Sequence, residues 1–111
     1  MQKDFRTAWL LLLLRSGPSY GYELRRELEI RATALDPAVM YRSLRDMERG
    51  RLISSHWVPS EAGPQRRVYD ITDAGRDELA RIAAGIRDAR DARDAFLVAY
   101  EHPAATTAGD P

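Results

Sequence analysis

The stretch 36–49 constrains the fold of this chain more than any other part of the sequence. It reads Asp-Pro-Ala-Val-Met-Tyr-Arg-Ser-Leu-Arg-Asp-Met-Glu-Arg. Asp36 is a good helix N-cap, because its carboxylate accepts from the free N–H groups of a first turn, and the proline that follows is favoured at N1. Met40, Leu44 and Met47 follow at helical spacing and form one apolar stripe. The stretch is therefore predicted to be a short helix with one buried face.

The opposite face of this helix is basic and aromatic, with Tyr41, Arg42, Arg45 and Arg49. A capped helix with such a face resembles the recognition helix of a helix-turn-helix protein. The alternative is an ordinary surface helix whose charges are simply solvated. The segments on either side favour the first interpretation.

Two helices are predicted before this stretch. The first covers 5–15, and its run Trp9-Leu10-Leu11-Leu12-Leu13-Leu14 is apolar on every side, which is typical of a helix buried all round. A single domain of at most 111 residues can hardly bury it so completely, and this favours a second subunit over one face. The second helix is predicted over 20–29 with Ser19 as its N-cap, and a short connector leads to Asp36. Together with the basic helix it forms a helix-turn-helix arrangement.

A β-hairpin is predicted after the basic helix. Gly50 is expected at C′, where it ends the helix, and 52–58 and 65–71 have the β-branched and aromatic residues of strands. Arg66 and Arg67 come just past the hairpin tip. The predicted fold is mainly α with a small β-hairpin, a winged helix-turn-helix domain followed by a C-terminal dimerisation helix.

The last predicted helix begins at Thr72 as N-cap and runs to about Tyr100. Its apolar residues alternate at spacings of three and four, which is typical of coiled-coil pairing, and Arg93 interrupts this seam. The predicted domains are a DNA-binding domain over 1–72, a dimerisation helix over 73–101 and a disordered tail over 102–111. The predicted dimer interface is Trp9, Leu13, Leu79, Ile82, Ile86, Phe96 and Tyr100.

Three motifs in this order resemble the PadR family of bacterial transcription regulators. They are Gly-Pro-Ser-Tyr-Gly-Tyr-Glu-Leu at 17–24, Met40-Tyr41 with Leu44, Met47-Glu48 and Leu52-Ile53, and Gly-Pro-Gln-Arg-Arg-Val-Tyr-Asp-Ile-Thr-Asp-Ala-Gly-Arg at 63–76. The single C-terminal helix is similar to the short branch of that family. The resemblance implies a homodimeric, effector-responsive repressor that binds a palindromic operator.

The same resemblance implies DNA contacts from Tyr20, Tyr22, Tyr41, Arg66 and Arg67. Arg42 and Arg45 are long enough to reach base edges, and arginine to guanine is the commonest specific contact. The sequence departs from the family at Ala38-Val39, where Gly-Thr is usual, at Arg42, where Pro is usual, and at Arg51, where Gly is usual. The predicted DNA-binding residues are Tyr20, Tyr22, Ala38, Val39, Tyr41, Arg42, Arg45, Arg66 and Arg67. Alternatively, Tyr22 is a core residue and the two wing arginines are a solvated strand end.

In short members of the family, small aromatic or amphipathic effectors are expected at the dimer interface between the first and last helices. In this chain the effector site would be lined by Trp9, Phe96 and Tyr100. The alternative, that these residues simply pack the dimer core, is favoured.

Composition argues against other classes of protein. The net charge is zero, but 13 Lys and Arg face 10 Asp and Glu up to Arg76, which fits local rather than global contact with nucleic acid. There is no cysteine, no Gly-rich phosphate loop, and the two histidines are isolated, so neither an enzyme, a cofactor nor a metal site is predicted. The apolar run is too short to span a bilayer or to act as a signal, and a cytoplasmic location is expected. The rival interpretation is a winged-helix module that binds protein and not DNA. In such a module, the side chains of Arg42, Arg45, Arg66 and Arg67 would be scattered over several faces.

Overall fold

A computed structural model describes residues 2–103 of the chain. It contains four helices and three strands within that range. In chain order they are α1 (Lys3–Arg15), β1 (Ser19–Tyr20), α2 (Gly21–Arg31), α3 (Pro37–Arg49), β2 (Ile53–Val58), β3 (Arg66–Ile71) and α4 (Asp73–Glu101). The mainly helical fold with a small antiparallel sheet is as predicted, and α3 is the predicted recognition-type helix.

The start and the buried face of α3 agree with the sequence pattern. The Asp36 carboxylate accepts a hydrogen bond from the Ala38 N–H at 2.8 Å, and Pro37 occupies the first helical position. Met40, Leu44 and Met47 are the buried residues of the helix. The N-cap and the apolar stripe therefore fix this helix locally, before any long-range contact is considered.

The end of α3 corrects the prediction for Gly50. Gly50 is the C-cap with φ −77°, and Arg51 at C′ takes the left-handed conformation with φ +61°. The Arg51 N–H donates to the Glu48 carbonyl and the Leu52 N–H to the Met47 carbonyl, both at 3.0 Å. These are the two bonds of a Schellman motif, in which C′ is usually glycine. Because Gly50 is the C-cap, the left-handed C′ position falls on Arg51 and not on the glycine.

The hairpin is part of a three-stranded antiparallel sheet with the order β1-β3-β2. The short strand β1, Ser19 and Tyr20, pairs with Tyr69 and Val68 of β3. The prediction of Ser19 as N-cap was wrong, because Tyr20 is the N-cap and α2 begins at Gly21. Pairing with β3 holds the backbone of these two residues extended, and the Glu23 carboxylate instead accepts from the Tyr20 N–H at 3.3 Å.

The core lies among the helices and the sheet. It is built from Leu10, Leu11, Leu14, Leu24, Met40, Leu44, Met47, Ile53, Tyr69 and Ile71. In the apolar run of α1, only three leucines are fully buried, while Trp9, Leu12 and Leu13 are half-buried. The described residues 2–103 therefore do not bury this helix on all sides.

Thr72 joins the start of α4 to the turn after α3. Its side-chain oxygen accepts from the Gly75 N–H at 3.0 Å, which confirms it as an N-cap. The hydroxyl lies 2.7 Å from the Arg51 carbonyl oxygen and 2.9 Å from that of Leu52, and the Thr72 N–H donates to Leu52 at 3.1 Å. A side chain at Gly75 would overlap the Leu52 carbonyl, so glycine is required by this close approach.

The chain divides into two compact units, Met1–Ala80 and Arg81–Pro111. The first holds the winged helix-turn-helix elements and the start of α4. The described part of the second is almost entirely the remainder of α4. The predicted boundary at residue 72 stays a prediction, and most of the predicted disordered tail, 104–111, lies outside the described residues.

Candidate nucleic-acid interface

Five of the predicted DNA-binding residues lie together. Tyr20 and Tyr22 from the start of α2, Tyr41 from α3, and Arg66 and Arg67 from β3 line one pocket of about 190 Å³. Gly21 and Tyr69 complete its lining. Three elements that are distant in sequence thus bring aromatic rings and guanidinium groups to one surface.

Tyr20, Tyr22 and Arg66 form a stack on this surface. The two rings are parallel, with an interplanar angle of 6° and centroids 5.9 Å apart. The Arg66 guanidinium lies 5.4 Å from the Tyr20 centroid and 5.8 Å from that of Tyr22, which is cation–π distance. Tyr22 is half exposed, so the core alternative for this residue is wrong.

The position of the Tyr41 ring depends on the absence of a side chain at Gly21. A Cβ at Gly21 would lie 2.7 Å from Cε1 and 2.8 Å from the hydroxyl oxygen of Tyr41, closer than real Cβ contacts come. The absence of a side chain on α2 therefore lets the Tyr41 ring of α3 lie against the α2 backbone. Tyr41 remains 36% exposed, so it is still available to a ligand.

Arg67 is held by contacts with both α3 and β2. Its Nε donates to Ser55 Oγ at 2.8 Å, and its Nη2 lies 3.4 Å from Glu48 Oε1. Ser55 Oγ also lies 2.8 and 2.9 Å from the two Glu48 carboxylate oxygens. The Trp57 ring supports the guanidinium at 5.2 Å, because Trp57 and Arg67 are paired across the hairpin.

Tyr69 forms the buried floor of the tyrosine pocket. Burial raises the pKa of Tyr69 above its ordinary value of 10.0, and the nearby charge of Arg67 partly opposes that effect. The phenol therefore stays protonated and neutral throughout the physiological pH range.

The outward arginines of α3 lie beside two different pockets. Arg45 and Arg49 line a pocket of about 280 Å³ together with Glu48 and Arg67. Arg42 lines a second one, of about 350 Å³, with Val39 and with Lys3 and Arg6 of α1. Arg67 borders both the Arg45 pocket and the tyrosine pocket, so it adjoins Arg45 on one side and Arg66 on the other, whereas Arg42 lines a different pocket. Ala38 is exposed in the first turn of α3.

The predicted dimer and effector residues fall in both units, and their roles stay predictions. In the first unit, Trp9, Leu13 and Leu79 are half-buried, and the Arg31 guanidinium lies 5.7 Å from the Trp9 ring. In the second unit, Ile82 is buried, whereas Ile86, Phe96 and Tyr100 are exposed. Phe96 and Tyr100 stack on each other with centroids 6.3 Å apart.

Two further observations concern the described range 2–103. Within it, no three His, Cys, Asp or Glu side chains come together in a way that could hold a metal ion. Nor is any helix there both long and apolar enough to cross a bilayer.

Gly21, Glu48, Ser55, Trp57 and Tyr69 contribute to this surface and were missing from the predicted site. The period-two alternation of the strands was a usable signal, since Ser55 and Trp57 share one face of β2 and Arg67 and Tyr69 share one face of β3. The hairpin register was needed to join the two pairs, and the seven-residue loop 59–65 does not fix it.

Comparison with known proteins agrees with this architecture. Residues 10–81 match the model of the transcriptional regulator PadR-like family. The chain is 35% identical over 92 residues to a probable transcriptional regulator of Mycobacterium tuberculosis, an alignment that covers 79% of this chain and 49% of the relative. The chain thus spans about half the length of that relative.

Solved structures of the same family share the fold. A PadR family transcription regulator from Clostridium difficile superimposes with a TM-score of 0.77 at 26% identity, covering 84% of this chain and 98% of the other. A PadR-like regulator from Bacillus cereus gives a TM-score of 0.71 at 26% identity, covering 82% and 89%.

These relatives are transcriptional regulators and not enzymes, as the sequence predicted. The family match covers well over half of the chain and spans all the elements that build the tyrosine and arginine surface. This protein belongs to the PadR-like family of transcriptional regulators.

Proposed function

We propose that the chain binds double-stranded DNA as a homodimer, with α3 in the major groove and the β2–β3 hairpin as the wing. The observation that carries this proposal is the convergence of Tyr20, Tyr22, Tyr41, Arg66 and Arg67 on one surface. Arg45 adjoins this surface through the pocket it shares with Arg67. A protein-binding module has no need to gather these groups beside a capped basic helix.

The chemistry of this surface suits DNA. Tyrosine hydroxyls and arginines are common phosphate contacts, and such contacts fix how a protein docks on the duplex. Arg45 is exposed and forms no ion pair within the described range 2–103, so its guanidinium is available for a bidentate contact with guanine. In this arrangement the tyrosines and Arg66 position the protein, while Arg45 reads sequence.

The second unit supports the dimer part of the proposal. Large apolar side chains near the end of α4 are exposed, namely Phe96, Leu97, Val98 and Tyr100, with Tyr100 at 73%. Exposed apolar side chains gathered at one end of a helix are typical of interaction surfaces. The 29 residues of α4 span about 44 Å at roughly 1.5 Å per residue, enough to hold two winged units on one duplex. Two such units would read half-sites about one helical turn, roughly 34 Å, apart.

The regulatory part of the proposal is repression of a palindromic operator, relieved by a small aromatic or amphipathic effector. Family membership supports it. Release of DNA requires that the effector bind two shapes of the dimer with different affinities, since a ligand with equal affinity shifts no equilibrium.

Binding to duplexes from the chain's own promoter region, followed by fluorescence anisotropy at several salt concentrations, tests the proposal. We expect affinity to fall steeply as salt rises, because phosphate contacts release counterions. Arg45→Ala should cost about 1–3 kcal/mol on the preferred duplex and much less on random DNA. Arg90→Ala makes the same charge change in the second unit and serves as the control.

Two outcomes would count against the proposal. Equal loss on preferred and random DNA would reduce Arg45 to a phosphate contact. No salt-dependent binding to any duplex would make the protein-binding module the better interpretation.

A further inference from the structure

Adjacent arginines on β3 have different surroundings. Arg66 is exposed, lies over the Tyr20 and Tyr22 rings, and has no carboxylate partner within residues 2–103. Arg67 is half-buried, with 39% of its side chain exposed, and pairs with Glu48, whose side chain is 33% exposed. Two adjacent residues with the same charge therefore have different partners.

A continuous chain of hydrogen bonds links the three elements around Arg67. Arg67 Nε–H donates to Ser55 Oγ, and the Ser55 hydroxyl donates to the Glu48 carboxylate. Glu48 lies on α3, Ser55 on β2 and Arg67 on β3. The Trp57 ring covers one face of the guanidinium. Arg67 is thus fixed from two directions, by hydrogen bonds in its plane and by an aromatic ring on its face.

The position of Glu48 does not favour the stability of α3 itself. It is the penultimate residue of the helix, and a carboxylate there opposes the negative end of the helix dipole. Its two carboxylate oxygens are instead used by Ser55 and Arg67. The pair offsets the charge of Arg67, which lowers the attraction of this guanidinium for phosphate.

Resting on the proposed DNA binding, we propose that Glu48 and Arg67 are a positioning pair that sets the wing against the recognition helix. Arg66 is then the wing residue that contacts the DNA backbone. Arg67 lies between the pocket of Arg45 and the pocket of the tyrosines, so its position sets the distance between the base-reading and phosphate-binding groups. Loss of the pair therefore impairs discrimination between sequences more than it impairs overall attraction to DNA.

The test compares neighbouring variants with the same charge change. The probes are a duplex that the wild-type protein selects from a random pool and a shuffled duplex of equal composition. Arg66→Ala should weaken binding to both alike and reduce the salt slope by about one. Arg67→Ala should lower the ratio of the affinity for the selected duplex to that for the shuffled duplex roughly tenfold. This is the discrimination that one good base contact provides.

Glu48→Gln should lower the ratio by a similar factor, while overall attraction to DNA rises because a negative charge is lost. Asp46→Asn is the matched control, because it removes one carboxylate from the same helix, where Asp46 pairs with Arg49 at 3.2 Å. It should raise both affinities and leave their ratio unchanged. The double variant Glu48→Gln with Arg67→Ala should lower the ratio no further than either single variant, as expected for residues that act as a unit.

A measurement without DNA separates positioning from general destabilisation. The chain has two tryptophans, so Trp9→Phe leaves Trp57 as the sole source of indole emission. In that background, Glu48→Gln should change the emission and the iodide quenching of Trp57, because Arg67 loses the ion pair that helps to hold it over the ring. Asp46→Asn should change neither.

The results distinguish failure of the positioning role of Arg67 from failure of DNA binding itself. If Arg67→Ala behaves as Arg66→Ala does, Arg67 is an ordinary phosphate contact and the positioning role is overturned, while DNA binding stands. If the wild type selects no duplex, DNA binding and the positioning role fail together. Should Arg67→Ala not fold, Glu48→Gln removes the ion pair while keeping the shape of the side chain, and an unchanged ratio there would equally overturn the inference.

Discussion

Apolar side chains meet opposite environments in α3 and in the last turns of α4. On α3, Met40 and Leu44 are fully buried and Met47 is 3% exposed. On α4, Phe96 and Leu97 are 67% and 49% exposed. Both stretches have the spacing of an amphipathic helix, but within the described residues 2–103 the apolar face of α3 is covered and the end of α4 is not. Apolar spacing therefore predicts that a face will be covered without saying by what, and the exposed end of α4 is the part for which we propose a second copy.

The largest expected effect contrasts Leu44 with Leu97. Leu44→Ala should lower the free energy of unfolding by about 2–5 kcal/mol, because it leaves a cavity in a closed core. Leu97→Ala should cost less than about 1 kcal/mol at a concentration where the chain is monomeric, since its side chain is half exposed. Urea unfolding followed by circular dichroism measures both. Similar losses would contradict the contrast between the two helices.

A charge on the exposed stripe of α4 tests whether a second copy covers it. Ile86, at 43% exposure, lies in the middle of the predicted seam. Ile86→Asp should raise the dimer dissociation constant at least tenfold, because a carboxylate would be desolvated in an apolar interface. Sedimentation equilibrium measures the constant, and Ala84→Asp puts the same charge on another side of the helix as a control. A wild-type chain that is monomeric at micromolar concentration would exclude the proposed dimer.

A substitution at Gly21 tests whether the contact between Gly21 and the Tyr41 ring, near the surface of the first unit, is closely packed. Gly21→Ala should cost about 1–3 kcal/mol of stability, because the new methyl group overlaps the Tyr41 ring. Gly63→Ala is the control, since a Cβ there meets nothing within 4 Å. Thermal unfolding gives both values. If the two substitutions cost the same, the contact between α2 and α3 is loose.

The smallest expected effect is a gain. Arg51→Gly should stabilise the first unit by about 1 kcal/mol, because glycine adopts the left-handed conformation without the clash of a Cβ. Arg49→Gly, two residues earlier within α3, should instead destabilise by about 1 kcal/mol. Chemical denaturation of both variants checks the opposite signs. A loss at Arg51 would show that its side chain makes a contact worth more than the strain.

Local chemistry explains which features the sequence predicted. Asp36, Pro37 and the stripe from Met40 to Met47 lie within one short stretch, and their effects on the backbone need no other part of the chain. The family resemblance, resting on motifs at 17–24 and 63–76, indicated Tyr20, Tyr22, Arg66 and Arg67. The structure places these residues beside one another, although their role in binding DNA stays a proposal.

Features that depend on long-range pairing were beyond the sequence. Strand β1 exists because Ser19 and Tyr20 meet β3 some 50 residues later, and two residues carry no pattern of their own. The Glu48–Ser55–Arg67 chain requires both the hairpin register and the approach of α3 to the sheet. Gly50 was assigned to the left-handed position because glycine is favoured there, whereas the length of α3 put Arg51 in it.

The contacts of Thr72 indicate the end from which α4 forms. The Leu52 carbonyl accepts from the Thr72 N–H, and the Thr72 hydroxyl lies within hydrogen-bond distance of the Arg51 and Leu52 carbonyl oxygens. These contacts, between residues 20 and 21 positions apart, add to the local N-cap bond that fixes the first turn of α4. Nucleation is the costly step in making a helix, and later residues add at little cost. At a concentration where the chain is monomeric, we therefore expect α4 to form from its tethered start toward Glu101, and its amide protons to exchange with solvent in the reverse order, fastest at the far end.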